Sequence, residues 1–174
     1  LATTQFESTD ARRAFPCWDE PSIKATFDVT LVVDAGLVAV SNMEIFSNTE
    51  TLAGKRAFHF APTPVMSTYL LAFVVGDLAS IEDRADDGTL IRIWATRGNE
   101  EKGRFALETS IALLTYFNEY FGIPYPLSKL DHLAIPDFAA GAMENWGAIT
   151  YRETALLVDP EQSSAGTREV VASI

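Results

Sequence analysis

Histidine and cysteine are nearly missing from this chain. Its 174 residues hold two histidines, His59 and His132, and one cysteine, Cys17. A single cysteine excludes an internal disulfide. A zinc site draws about four ligands from His, Cys and carboxylate side chains. With two isolated histidines and no His-x-x-x-His pair, the chain is not expected to hold zinc by itself, and no metal ligand is assigned. Basic residues are also scarce, 13 against 24 acidic ones, for a net charge of −11. That balance argues against nucleic acid or an anionic membrane as the main partner. The excess is no tail: residues 1–84 carry 6 basic and 11 acidic side chains, and residues 85–174 carry 7 and 13. The most apolar run, residues 69–75, is far shorter than the ~20 residues a membrane helix needs, so no membrane segment is expected within the chain. No Asn-x-Ser/Thr sequon occurs. With the lone cysteine this fits a reducing compartment, and a cytoplasmic location is expected, a membrane-anchored or secreted parent staying open. There is no Gly-x-Ser-x-Gly elbow, no Cys–His nucleophile signature and no phosphate-cradling glycine loop. No catalytic residue is therefore assigned within the chain.

Hydrophobic residues make up 48%, enough for a buried core. From residue 25 to 83 the pattern is β. Residues 26–33 alternate, with Phe27, Val29 and Leu31 on one face. Residues 37–40, 44–47 and 56–60 are short strands, and 48–54 a hairpin loop. Residues 69–75 read as one central, buried strand, and 77–83 as another. A polar turn at 84–88 changes the pattern, which places a domain boundary near residue 84. Residues 90–95 form a strand, and Asn99 caps a helix with Glu100 and Glu101 in its first turn. Leu107, Ile111, Leu114, Phe117 and Phe121 make a core-facing stripe, and Gly122, Pro124 and Pro126 stop the helix. A strand at 130–135, an edge strand at 148–157 and a helix opening at Arg168 complete the pattern. Before all this, residues 1–24 read as a structured loop in which Arg12 and Arg13 pair with Asp19 and Glu20.

One stretch, residues 135–153, stands apart. Residues 139–142 have almost no side chains, and Gly141 permits backbone angles closed to other residues. One carboxylate follows, Glu144, then Asn145 and Trp146. The layout reads as strand, tight loop, strand, with one acid projected from the loop. A peptide can pair with such a backbone as an added strand, and Glu144 can meet a cation at its end. The alternative is an ordinary turn with a solvated Glu and a packed Trp.

Gly141-Ala142-Met143-Glu144-Asn145 resembles the GAMEN exopeptidase motif of the M1 zinc aminopeptidases, the gluzincin family. Residues 4–21 (TQFESTDARRAFPCWDEP), residues 63–73 (TPVMSTYLLAF) and Tyr125-Pro126-Leu127 resemble the same family, in its order. The resemblance implies a mixed fold: residues 1–84 as the later part of an N-terminal β-domain (sandwich or saddle), and residues 85–174 as the front of a thermolysin-like α/β catalytic domain. It implies a metalloaminopeptidase that removes N-terminal residues from peptides, with metal-assisted attack of water on the scissile carbonyl. The substrate-binding residues it implies are Gln5, Glu7, Gly141, Ala142, Met143, Glu144 and Asn145. Glu144 and Glu7 would meet the free α-ammonium, Gln5 would line the pocket for the first side chain, and Gly141 and Ala142 would present backbone groups. Zinc is implied for the full-length protein, held by an H-E-x-x-H helix and a further Glu. None of these ligands is in this sequence, so the chain is expected to be a fragment ending just before the zinc motif, inactive alone, whose parent continues with H-E-x-x-H soon after Ile174. The rival reading is a non-catalytic scaffold or interaction module that kept the fold and lost the metal.

Overall fold

The structure, a computed structural model, describes residues 1–51 and 54–174. By contacts the chain forms two compact units, Leu1–Asp77 with Met143–Ala148, and Leu78–Ala142 with Ile149–Ile174. These units and the domains expected from sequence are not drawn at the same residue. The strand at 78–84 pairs with its successor, and the six residues that hold Glu144 pack with the first unit.

Among the described residues the first unit has eight strands: β1 (Ala2–Thr3), β2 (Lys24–Ala25), β3 (Thr30–Asp34), β4 (Val38–Ser41), β5 (Ile45–Thr51), β6 (Lys55–Phe60), β7 (Met66–Ser67) and β8 (Phe73–Gly76). They make three antiparallel sheets, ordered β1-β8-β4, β2-β7 and β3-β6-β5. Alternation does what the sequence promised in β3, where Val33 is buried while Thr30 and Asp34 face solvent. Its core gathers Phe6, Val29, Val33, Phe58, Phe60 and Met66, with Trp146 packed against it.

Three expectations change here. The strand expected over 26–33 becomes regular only at Thr30. Upstream, the Thr63 hydroxyl accepts from the Phe27 amide, and a side chain so placed interrupts the ladder. β5 continues through Thr51, because Asn48 to Thr51 pair with Phe58 to Lys55. The hairpin loop expected over 48–54 is therefore strand in its first four residues; residues 52 and 53 lie outside the described residues. Finally, residues 69–75 are not one strand. Thr68–Leu70 form a 3-10 turn and β8 starts at Phe73. Apolar composition cannot tell a buried strand from a buried turn. Here the Asn42 side chain bonds the Leu70 carbonyl and the Ala72 amide, groups that a regular ladder would otherwise use.

The second unit holds β9 (Leu78–Arg84), β10 (Leu90–Thr96), α1 (Arg104–Phe121), β11 (Lys129–Ile135), β12 (Ala142–Met143), β13 (Ala148–Arg152) and α2 (Ala165–Ser173), though Met143 and Ala148 count with the first unit. The sheet order is β12-β13-β11-β10-β9. β9 and β10 pair antiparallel, whereas β10 and β11 run parallel with α1 as their crossover. β11 is buried along its whole length, as a strand inside a sheet should be.

The helix signals are partly redrawn. Asn99 does not cap α1: its amide donates to the Thr96 hydroxyl, and a 3-10 turn at Glu100–Gly103 precedes the helix. Gly122 does end it, in the left-handed region at φ 64°. Leu107, Ile111 and Leu114 join the core as expected. Phe117 and Phe121 do not; they are exposed and stack on each other at 5.8 Å. The expected edge strand over 148–157 stops at Arg152, where a 3-10 turn (Glu153–Ala155) begins, and it lies one place inside the edge, next to β12. α2 starts at Ala165 rather than Arg168, since the Ser164 hydroxyl accepts from the Thr167 amide as an N-cap. No helix among the described residues is long and apolar enough to cross a membrane.

Gly103 shows how closely α1 seats on the sheet. A Cβ there would stand 2.5 Å from Ile93 Cγ2 and 3.0 Å from its Cβ. Ile93 is fully buried and cannot move aside freely. Gly103→Ala should destabilise the second unit by about 1–3 kcal/mol despite the better helix former. The check is urea unfolding followed at Trp94, the neighbour of Ile93.

Candidate functional site

The loop between β11 and β13 has few side chains of its own to hold it, so other residues shape it. Arg152 does so at its start. The guanidinium Nε donates to the Phe138 carbonyl at 3.0 Å and Nη2 to the Ala139 carbonyl at 2.5 Å. The Arg152 amide donates to the Gly141 carbonyl at 2.9 Å. β12 follows as the terminal strand of its sheet.

The rest of the loop packs with the first unit. Met143 and Asn145 are fully buried, while Glu144 between them is exposed. Side chains on an extended segment alternate between faces, so burying both neighbours turns the acid outward. The Asn145 carbonyl accepts from the Ala148 amide at 2.9 Å, closing a turn in which Gly147 has φ 75°. Gln5 donates from Nε2 to the Met143 sulfur at 3.6 Å. Asn42 donates from Nδ2 to the Trp146 carbonyl at 2.8 Å.

The structure thus brings Gln5 to Met143 and sets Glu144 on the same compact unit as Gln5 and Glu7. Glu7 is exposed. Met143 and Asn145 are buried on either side of Glu144. Asn42 and Arg152 were not singled out by sequence reasoning. A buried Asn gives no sequence signal, because its partners are backbone groups, two carbonyls and an amide.

The two histidines do not form a metal centre. His132 is buried; Nε2 lies 2.8 Å from the Ser110 hydroxyl and Nδ1 3.0 Å from the Tyr151 hydroxyl. Burial pushes its pKa down to about 4, although the nearby Asp131 charge pulls the other way. Burial likewise raises the Tyr151 phenol. His59 Nδ1 lies 2.9 Å from the Thr30 hydroxyl at the surface. Among the described residues no group of three His, Cys, Asp or Glu side chains can hold a metal ion. The residues present do not fit a zinc site.

One charged cluster is buried beside His132. Asp131 Oδ1 accepts from Arg92 Nε at 2.5 Å and Trp94 Nε1 at 3.0 Å; Oδ2 accepts from Arg92 Nη2 at 2.9 Å and Lys129 Nζ at 2.7 Å. Burial alone would raise this carboxyl, but the Lys129 and Arg92 charges outweigh it and hold the group below the usual carboxylate range. Arg12 and Asp19 form the ion pair expected near the N-terminus, at 3.1 Å. Arg13 pairs instead with Asp10 at 3.4 Å.

Comparison with known proteins agrees with the motif order. Residues 1–70 match the peptidase M1 N-terminal domain, and residues 105–174 match the peptidase family M1 domain. The whole chain is 53% identical to part of a puromycin-sensitive aminopeptidase of Caenorhabditis elegans and 51% identical to part of aminopeptidase M1 of Arabidopsis thaliana. It covers 18% and 20% of those proteins. An aminopeptidase N of Acetobacter pasteurianus is 47% identical over the whole chain, which covers 49% of it. The chain therefore spans about a fifth to a half of the curated relatives it matches. Two domain matches in the family's own order, joined by unbroken similarity along the chain, place it in the M1 peptidase family.

Proposed function

We propose that this chain is the substrate-recognising part of a zinc-dependent aminopeptidase that removes N-terminal residues from peptides with a free amino end. On this reading residues 1–84 are the later part of the family's N-terminal β-domain, and residues 85–174 the front of its thermolysin-like catalytic domain. The observation that carries the proposal is the setting of Glu144: an exposed carboxylate between two fully buried neighbours, on a loop fastened by backbone and side-chain bonds. A carboxylate so fixed is suited to a free α-ammonium, which it meets by a charge-assisted hydrogen bond. Glu7 supplies the second carboxylate, and Gln5 lines the pocket for the first side chain. Gly141 and Ala142 offer open backbone to the peptide as an added strand. On this reading zinc would be held by residues outside these 174 and would supply the Lewis acid for attack of water on the scissile carbonyl. The residues of this chain bind and orient.

The test uses the full-length protein. It should turn over free aminoacyl reporter substrates, lose that activity to a chelator and regain it with zinc. Glu144→Ala should lower kcat/KM about 10–150-fold, since hydrogen bonds to charged groups are worth about 1.5–3 kcal/mol. An unimpaired Glu144→Ala enzyme overturns the ammonium assignment. A folded, zinc-free protein without peptidase activity points to the scaffold reading.

A further inference from the structure

We propose that Asn42 is a positioning residue for substrate recognition, fixing the segment that carries Glu144 through the Trp146 carbonyl. The proposal rests on the reading of Glu144 as the ammonium ligand. Asn42 follows β4 and is 1% exposed. Its Nδ2 donates to the Leu70 carbonyl at 2.7 Å and to the Trp146 carbonyl at 2.8 Å; its Oδ1 accepts from the Ala72 amide at 2.9 Å. All three partners are backbone groups, so the bonds set the path of the chain and not merely a rotamer. They join two distant segments, the irregular stretch before β8 and the Glu144 loop. Only a side chain with two donors and an acceptor on one short stem meets that demand.

The consequence falls on Glu144. It lies one residue after Met143, which is buried under the Gln5 amide, and two before Trp146, whose carbonyl Asn42 holds. The exposed acid therefore projects between a buried side chain on one side and a backbone carbonyl held by Asn42 on the other. A recognition group fixed in this way loses little freedom on binding and meets the ammonium in one place. The Trp146 ring adds packing against the core of the first unit but fixes no backbone group there. If Asn42 served only the 3-10 turn at Thr68–Leu70, its bond to Trp146 would be incidental and Glu144 would not depend on it.

A double-mutant cycle in the full-length protein separates these cases. Asn42→Asp keeps the acceptor for Ala72 and removes both donors; Asn42→Ala removes all three bonds. Each is measured alone and with Glu144→Ala, as kcat and KM for a free aminoacyl reporter substrate. Asn42→Asp should raise KM about tenfold, well within what a misplaced positioning group can cost. In the Glu144→Ala background the same substitution should change KM by less than about twofold, because the contact that it misplaces is already gone. Equal factors in both backgrounds would mean a general structural loss and overturn the proposal. If Glu144→Ala has no effect of its own, the ammonium reading fails and takes this inference with it. If Glu144→Ala is impaired and the cycle is additive, only the role of Asn42 fails. Should neither Asn42 variant fold, hydrogen exchange in the unaltered protein decides. Amides of residues 143–148 should exchange as slowly as those of β8, and a segment opening far faster overturns the proposal.

Discussion

Asp131→Asn should be the most damaging single change in the second unit, costing about 3–5 kcal/mol of stability, the usual cost of breaking a buried pair from one side. The reason lies in the charge count. Two cations, Arg92 and Lys129, share one carboxylate, and Asp131 is fully buried with Lys129 almost so. With Asp131 neutral, two positive charges remain in a site built around a negative one. The Asn side chain also offers fewer acceptor sites than the four bonds that converge on Asp131. Lys129→Met should cost much less, because a balanced Arg92–Asp131 pair remains and the methionine fills the same space. Denaturant unfolding of the three proteins checks the order. Equal losses for Asp131→Asn and Lys129→Met would show that packing, not charge balance, governs this cluster.

That cluster also marks a limit of sequence reading. Lys129, Asp131 and His132 fall in a strand that periodicity located almost to the residue. Yet nothing in the string of letters says that a strand with three polar residues is buried from end to end. The partners that make this tolerable, Arg92 and Trp94, come from the neighbouring strand and depend on a parallel register that only folding defines. The same holds for 69–75, where an apolar run looked like one strand and Asn42, some thirty residues upstream, takes its ladder groups. Local signals fared better where the cause is local. Gly122 ends α1 because it alone suits the left-handed angle, and alternation put Val29 on a shared face without reference to any partner, where it is buried. In the Glu144 loop the sequence made plain the small residues, the single acid and the resemblance to a family motif. It could not disclose Arg152 and Asn42, since both act on backbone groups, which every sequence possesses.

Mild acid should unfold the second unit through His132, and the sign is fixed by the direction of its shift. Its pKa is about 4 in the folded chain against about 6.5 when exposed in the unfolded one. The unfolded state thus binds the proton first, and stability is lost as pH falls from about 6.5 to about 4. The full difference, about 2.5 pH units, corresponds to about 3 kcal/mol at 1.36 kcal/mol per unit. Below that window Asp131 takes over. Its folded pKa is depressed, so its contribution is present above the unfolded carboxylate value and is lost as pH falls through the folded one. The loss between pH 6.5 and 4 therefore belongs to the histidine and the loss below it to the depressed carboxyls, Asp131 and Asp87. His132→Leu separates them. At pH 7 it should be less stable, because the Ser110 and Tyr151 hydroxyls lose their partner. Between pH 6.5 and 4 its stability should stay nearly flat where the parent falls. The measurement is hydrogen exchange of β11 amides, or urea midpoints read at Trp94 with Trp18 and Trp146 replaced by Phe, at pH 7, 5.5 and 4.5. His59 sits at the surface of the other unit and leaves that readout undisturbed. A His132→Leu protein that loses stability as steeply as the parent over this range would remove His132 as the acid trigger.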